Sequence, residues 1–411
     1  MAKCLNRLLF AAFAAVWITS ACSQETPVSA VVTRFGQPVE QPRVFSEPFL
    51  NGKFALGEHE VVVFVGQENM VRLQKSGELE ARLAVAFADQ KPQFRYMAWE
   101  GDTVYEQRRE LNFGSWEEQL KAVDASVIVA QFGQMELYDG EQRLGEFVAA
   151  YHRLLDRFAT KTRRVVLIPP TRSESYSKAV REIAEQRKAI YCDLYEDFHS
   201  PSRGHKEWAQ PLFGNDAIHL TPAGCELVAL YIVTDLFGQD GRAIPGPDSA
   251  LFPTFPALRE AIVEKNRLWF DCWRPMNWAF AYGDRTTQLF GQPVENQPYL
   301  TEELAQYKAL IDQEEARIFT LAKGQPAPER SIVVRLPEPD PKEDPADALA
   351  AMTVADGYAV NLFAGETNGI VNPIQFAWDE RGRMFVACSP TYPHIIPGAK
   401  PADYILICHD T

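Results

Sequence analysis

Five short, largely apolar runs, each followed by a stretch of helical periodicity, constrain this chain more than any other feature. The runs cover 61–65, 94–99, 126–132, 165–168 and 190–194. Helical stretches cover 71–88, 104–122, 144–160 and 177–188, with a last helix at 222–237. A strand that is apolar on both sides must be buried on both faces, and a parallel crossover lays a helix over each face. The pattern therefore predicts an α/β fold, a doubly wound three-layer α/β/α sandwich of flavodoxin-like type on five parallel strands.

At about 150 residues per domain, 411 residues imply two to three domains. With 46% hydrophobic and 23% charged residues the composition is globular, which excludes a disordered chain, a collagen-like repeat and a multi-span membrane protein. The net charge is −14, and it becomes −16 if the first 22 residues, with Lys3 and Arg7 and no acid, are removed. Such a chain lacks the clustered cations that displace counterions from phosphates, so nucleic acid is not an expected partner. Seven cysteines are too few for a disulfide scaffold.

The first 22 residues read as an export signal: Lys3 and Arg7, then an uncharged apolar stretch over 8–18, then Thr19-Ser20-Ala21-Cys22. That stretch is too short to span a hydrocarbon core of about 30 Å as a helix. The last four residues resemble the lipobox of bacterial lipoproteins, with Thr19 where Leu is usual. The resemblance implies lipidation at Cys22 and a periplasmic or cell-envelope location; ordinary cleavage after Ala21 is the alternative. Residues 23–45 read as a polar tether, 46–240 as the main domain, 241–325 as a helical extension, and 326–350 as a proline-rich linker. In the extension, helices over 258–274 and 302–321 flank Trp269, Phe270, Trp273, Trp278, Phe280 and Tyr282. These aromatics are expected to pack against the main domain. Residues 351–411 carry short strands over 358–363, 374–378 and 384–388, with a turn at Asp379-Glu380-Arg381-Gly382.

Ligands of a doubly wound sheet bind beyond the carboxyl ends of its strands. The loops there are Gly66-Gln67-Glu68-Asn69, Glu100-Gly101-Asp102-Thr103 and Gly133-Gln134-Met135-Glu136, and Asn215–Pro222 precedes the last helix. In that last loop Asp216 and His219 stand three apart, a spacing that lets a carboxylate orient an imidazole over a site.

These four loops, in this order, resemble the SGNH (GDSL-type) hydrolase family over about residues 55–240. The resemblance implies that Asp216 and His219 form the family's Asp-x-x-His pair. It also implies that Gly101 supplies an oxyanion N–H, and that Gly66 and Gly133 open the first and third blocks. Two positions depart from the family: Glu68 stands where the nucleophilic serine belongs, and Met135, beside Gln134, where the oxyanion Asn belongs. Neither Ser76 nor Ser115 lies at a matching strand end. Losing a nucleophile costs about 10⁶ in turnover, and losing one oxyanion donor about 10²–10³. Three readings stay open. In the first, a degenerate hydrolase is kept for binding a carbohydrate or a small acyl ester. An active ester hydrolase would use Glu68 and His219 as acid and base on water, with Gln134 as oxyanion donor. In the third reading, Asp216 and His219 only cap a helix.

His199 and His205 with Asp193, Glu196 and Asp197 lack fixed metal-ligand spacing and read as a polar loop. No Walker loop, Gly-x-Gly-x-x-Gly or Cys-x-x-Cys occurs, so no cofactor is expected in this chain. The strand–Asp-x-x-Gly–strand pattern near residue 380 resembles the opening blade of the sorbosone/glucose-dehydrogenase-like β-propellers of large exported planctomycete-type proteins. That resemblance implies further C-terminal domains in the same polypeptide, and an oxidoreductase subunit as the alternative function.

Overall fold

The structure is a computed structural model that describes residues 42–200, 211–238, 241, 243–246, 250, 252–275, 288–289, 292–293, 301–334, 345–392 and 395–409. Strands β1 (Val61–Gly66), β2 (Gln93–Tyr96), β3 (Ala125–Gln131), β4 (Val165–Ile168) and β5 (Ile190–Tyr191) form one parallel sheet in the order β2-β1-β3-β4-β5. The predicted five-stranded α/β sandwich is what forms. Around the sheet lie α1 (Glu68–Ser76), α2 (Glu78–Ala86), α3 (Trp116–Ala122), α4 (Leu144–Ala159), α5 (Glu174–Arg187), α6 (Leu194–His199) and α7 (Pro222–Phe237). Two longer helices follow, α8 (Phe255–Trp273) and α9 (Thr301–Leu321).

Alternation along each strand divides the core. Val62, Phe64, Val127, Val129, Val166 and Ile168 face α1, α2, α7 and α8, where Met70, Leu83, Ile232 and Ile262 meet them. Val61, Val63, Val65, Ile128, Ala130 and Leu167 face α3, α4 and α5, against Leu120, Phe147, Leu154 and Ile183. Burying each such side chain contributes about 1.5–3 kcal/mol, and only a sheet covered on both sides buries both sets.

The exposed edge that β2 would present is covered by α8. Lys265 Nζ donates to the Phe94 carbonyl (3.0 Å) and Trp269 Nε1 to the Tyr96 carbonyl (2.8 Å). Lys265 also pairs with Glu80 at 2.7 Å, each side chain 1% exposed, and Arg95 pairs with Glu315 of α9. Edge carbonyls that would otherwise template another strand are thereby satisfied. Trp273 donates to Gln119 Oε1 at 3.1 Å, so Trp269 and Trp273 pack as expected; Trp278, Phe280 and Tyr282 lie outside the described residues.

Several elements differ from expectation. The helix expected over 71–88 is two helices, broken where Gly77 takes φ +71°. Of the helix expected over 104–122 only Trp116–Ala122 forms. The segment before it is instead held by a long-range bond from Val104 N–H to Glu136 and by the Arg109 guanidinium bound back to Asp102, seven residues earlier. No strand forms over 358–363, whereas Tyr404–Cys408, not expected, becomes β8. It pairs antiparallel with β7 (Met384–Cys388), which pairs with β6 (Pro373–Trp378). Both faces of this small sheet carry exposed apolar side chains, while Val386 and Cys388 of the central strand are buried. Phe376 and Trp378, 62% and 53% exposed, lie on one face, with Ile405 and Ile407, 70% and 47% exposed, on the other. Among the described residues no helix is long and apolar enough to cross a membrane.

Candidate active site

The crevice is built from the four loops at the carboxyl ends of β1, β2 and β3 and before α7. β1 ends in Gly66 at φ +143°, where a Cβ would lie 2.3 Å from the Gln131 carbonyl oxygen. Only glycine lets β1 run this close to β3 before turning into α1.

Gln67, 1% exposed, holds the loops together. Its Nε2 donates to the Asp102 carbonyl (2.7 Å) and to Glu136 Oε2 (2.8 Å), and its Oε1 accepts the N–H groups of Gln134 (3.1 Å) and Met135 (3.2 Å). Glu136 accepts two more N–H bonds, from Val104 (2.7 Å) and Gly133 (2.9 Å). Burial raises the Glu136 pKa, opposed by the bonds from Val104 and Gln67. Asp102 is buried and takes both forks of Arg109, at 2.8 and 2.7 Å. Burial pushes its pKa up, against the pull of Arg109.

Glu68 begins α1 and is 7% exposed. Its Oε1 accepts the backbone N–H of Gly101 at 3.1 Å, the group expected to serve a ligand oxyanion. Its Oε2 is buried and, among the described residues, no donor reaches it.

The fourth loop is a tight reversal. Phe213 and Leu220 form a bridge, Gly214 N–H donates to the His219 carbonyl (2.9 Å), and Ala217 turns the chain at φ +57°. Asp216 Oδ1 accepts the N–H groups of Ile218 (2.9 Å) and His219 (3.1 Å), while Oδ2 lies 2.7 Å from His219 Nδ1. The Ile218 N–H, followed by His219, holds the Asp216 carboxyl far below the usual range, so it stays ionised and orients the ring. Gln134 Nε2 donates to the Ile218 carbonyl and Arg172 Nη1 to the Ala217 carbonyl, each at 2.9 Å.

Hydrogen bonds thus link the loops carrying Gly66, Glu68, Gly101, Gly133, Gln134, Asp216 and His219 into one network. Glu68 and His219 themselves form neither a hydrogen bond nor an ion pair. The Gln134 amide gives one of its two N–H groups to the Ile218 carbonyl. Ser76 sits in the last turn of α1, bonded to the Leu73 carbonyl, and Ser115 caps α3. His199 bonds the Tyr195 carbonyl and Asp193 caps α6; Cys22 and His205 lie outside the described residues. Among the described residues no group of three or more His, Cys, Asp or Glu is placed to hold a metal.

Gln67, Asp102, Arg109 and Glu136 were not singled out from the sequence as site residues. The first two and Glu136 lie within loops that directly follow apolar strands, where a buried polar side chain needs a partner. Arg109, seven residues past Asp102, gave no such signal.

The sequence profile of a Domain of unknown function (DUF7133) matches residues 344–411. No curated protein sequence matches the chain. Among solved structures, the chain is similar to BT4096, described as a gut microbial diltiazem-metabolizing enzyme. That similarity has 16% identity and a TM-score of 0.34, over 45% of this chain and 48% of that one. The chain therefore spans about half that enzyme's length. It is also similar to TesA, with 16% identity and a TM-score of 0.32, over 43% of this chain and 98% of that one. A third likeness is to an active-site mutant of a family two carbohydrate esterase from Clostridium thermocellum. There the identity is 13% and the TM-score 0.30, over 46% of this chain and 66% of that one.

Proposed function

We propose that residues 46–240 form an SGNH-hydrolase-like domain kept for binding, which takes a carbohydrate or carbohydrate ester without acylating itself. One observation carries this reading: Glu68, which the family resemblance aligns with the serine, accepts the Gly101 N–H at 3.1 Å through its carboxylate. A carboxylate has no hydroxyl proton for His219 to remove, and the donor that would steady an oxyanion is already taken. The Asp216–His219 pair keeps an oriented ring at the rim, suited to hydrogen-bonding a ligand. The carbohydrate class follows the family resemblance of the four loops.

In the same proposal the chain is exported through residues 1–22, is held in the cell envelope by lipid at Cys22, and belongs to a longer multidomain polypeptide. The small sheet of β6, β7 and β8 is read as the start of a β-propeller, because both of its faces carry exposed apolar side chains and call for neighbouring sheets. An oxidoreductase role would then reside in that further part. Fatty-acid labelling compared with Cys22→Ser tests the anchor: equal labelling removes it.

The binding reading is tested with an aryl acetate and an acetylated oligosaccharide. Binding of the sugar with hydrolysis at the buffer background supports it. Hydrolysis that vanishes in both Glu68→Gln and His219→Ala replaces it with the acid/base hydrolase.

A further inference from the structure

Three acceptor oxygens on the site loops meet no donor among the described residues: Glu68 Oε2, Asn69 Oδ1 and Gln134 Oε1. Their residues are 7%, 3% and 8% exposed. Two of these groups are fixed by hydrogen bonds through their other atoms. The Glu68 carboxyl is held at Gly101, whose surroundings are open, and the Gln134 amide is held against the Ile218 carbonyl beside His219. Glu68 has no ion-pair partner among the described residues. Arg109 is bound to Asp102 and Arg274 lies over Trp99, 3.5 Å from the ring centroid. A buried carboxylate met by a single peptide N–H is costly, and the two amide oxygens on the same loops are further unmet acceptors.

Building on the binding reading above, we propose that the crevice takes a ligand bearing a primary ammonium group, such as a sugar with a free amine. An ammonium carries a positive charge and three N–H donors and no acceptor, which suits a buried carboxylate oxygen that has, among the described residues, neither a donor nor a cation beside it. A hydroxyl would supply one donor and leave the Glu68 charge unmet. An ester carbonyl would bring another acceptor to a corner that already holds only acceptors. Where the resembled family donates hydrogen bonds to a ligand oxygen, this site receives them. The cover is thin, since Gly101 is exposed and the His219 side chain is 34% exposed, so the ligand reaches the oxygens by displacing one of these two loops.

The test is calorimetric titration of the full chain, at raised salt, with three hexasaccharides: glucosamine, N-acetylglucosamine and glucose oligomers. Raised salt matters because a net charge of −14 attracts any polycation. The expected result is binding of the free amine about tenfold or more tighter than the other two. That preference is lost in Glu68→Gln while the melting midpoint holds. Equal binding of all three, or a preference that survives Glu68→Gln, overturns the ammonium assignment and leaves the binding domain standing. No binding of any of the three overturns both.

Discussion

The Glu68 carboxylate and the Gly101 backbone N–H, 33 residues apart in sequence, meet at 3.1 Å and join the loop after β1 to the loop after β2. The contact depends on Gln67, the preceding residue, which fixes the turn after β3 and the Asp102 carbonyl at once. Replacing Gln67 by Ala leaves the buried N–H groups of Gln134 and Met135 unpaired. The expected loss is about 2–4 kcal/mol, read from urea unfolding. A loss under about 0.5 kcal/mol would mean that the loops hold without it.

Gly66 and Gly101 both have positive φ, but for different reasons. At Gly66 a Cβ meets the Gln131 carbonyl oxygen at 2.3 Å, whereas at Gly101 nothing lies within 4 Å. Gly66→Ala is expected to cost about 3 kcal/mol or more, or to prevent folding. Gly101→Ala is expected to cost only the left-handed backbone penalty, about 1–2 kcal/mol. Equal costs would contradict the close approach of β1 to β3.

The Lys265–Glu80 pair is fully buried between α8 and α2. Lys265→Met alone leaves an unpaired carboxylate and should cost about 3–5 kcal/mol. The double variant Glu80→Leu, Lys265→Met should recover most of that loss. A double variant as unstable as the single one would assign the loss to packing at the β2 edge instead.

Asp271, on α8, has its pKa pushed up by burial to about 6, with Arg267 pulling the other way. The folded state therefore holds a proton that the unfolded chain releases near 3.8. This contribution to stability is full below about pH 4 and is lost as pH rises through about 6. Wild type minus Asp271→Asn stability should accordingly fall between pH 4 and 7. A flat or rising difference would mean that the carboxyl is not raised.

β4 and α7 form just where the sequence places them, because an all-apolar run and a Thr-Pro helix start are local signals. The segment before α3 was misread because its polar side chains, Arg109 above all, find partners in the fold and not along a helix. β8 was missed because its pairing with β7 is a long-range contact that its own pattern does not announce. The four site loops were legible from their glycines and strand ends. The joint they share was not: Gln67 and Glu136 lie 69 residues apart, and only the sheet order brings them together. The cover on β2 was hidden for the same reason, since Lys265 reaches a carbonyl 171 residues earlier.

The central claim is tested most directly by the amide proton shift of Gly101 in an isotope-labelled chain, compared between wild type and Glu68→Ala. A carboxylate acceptor draws that proton downfield. It should move upfield in the variant, while the Gly133 amide, bonded to Glu136, stays in place. A Gly101 proton that ignores the substitution would mean that Glu68 does not occupy the Gly101 N–H.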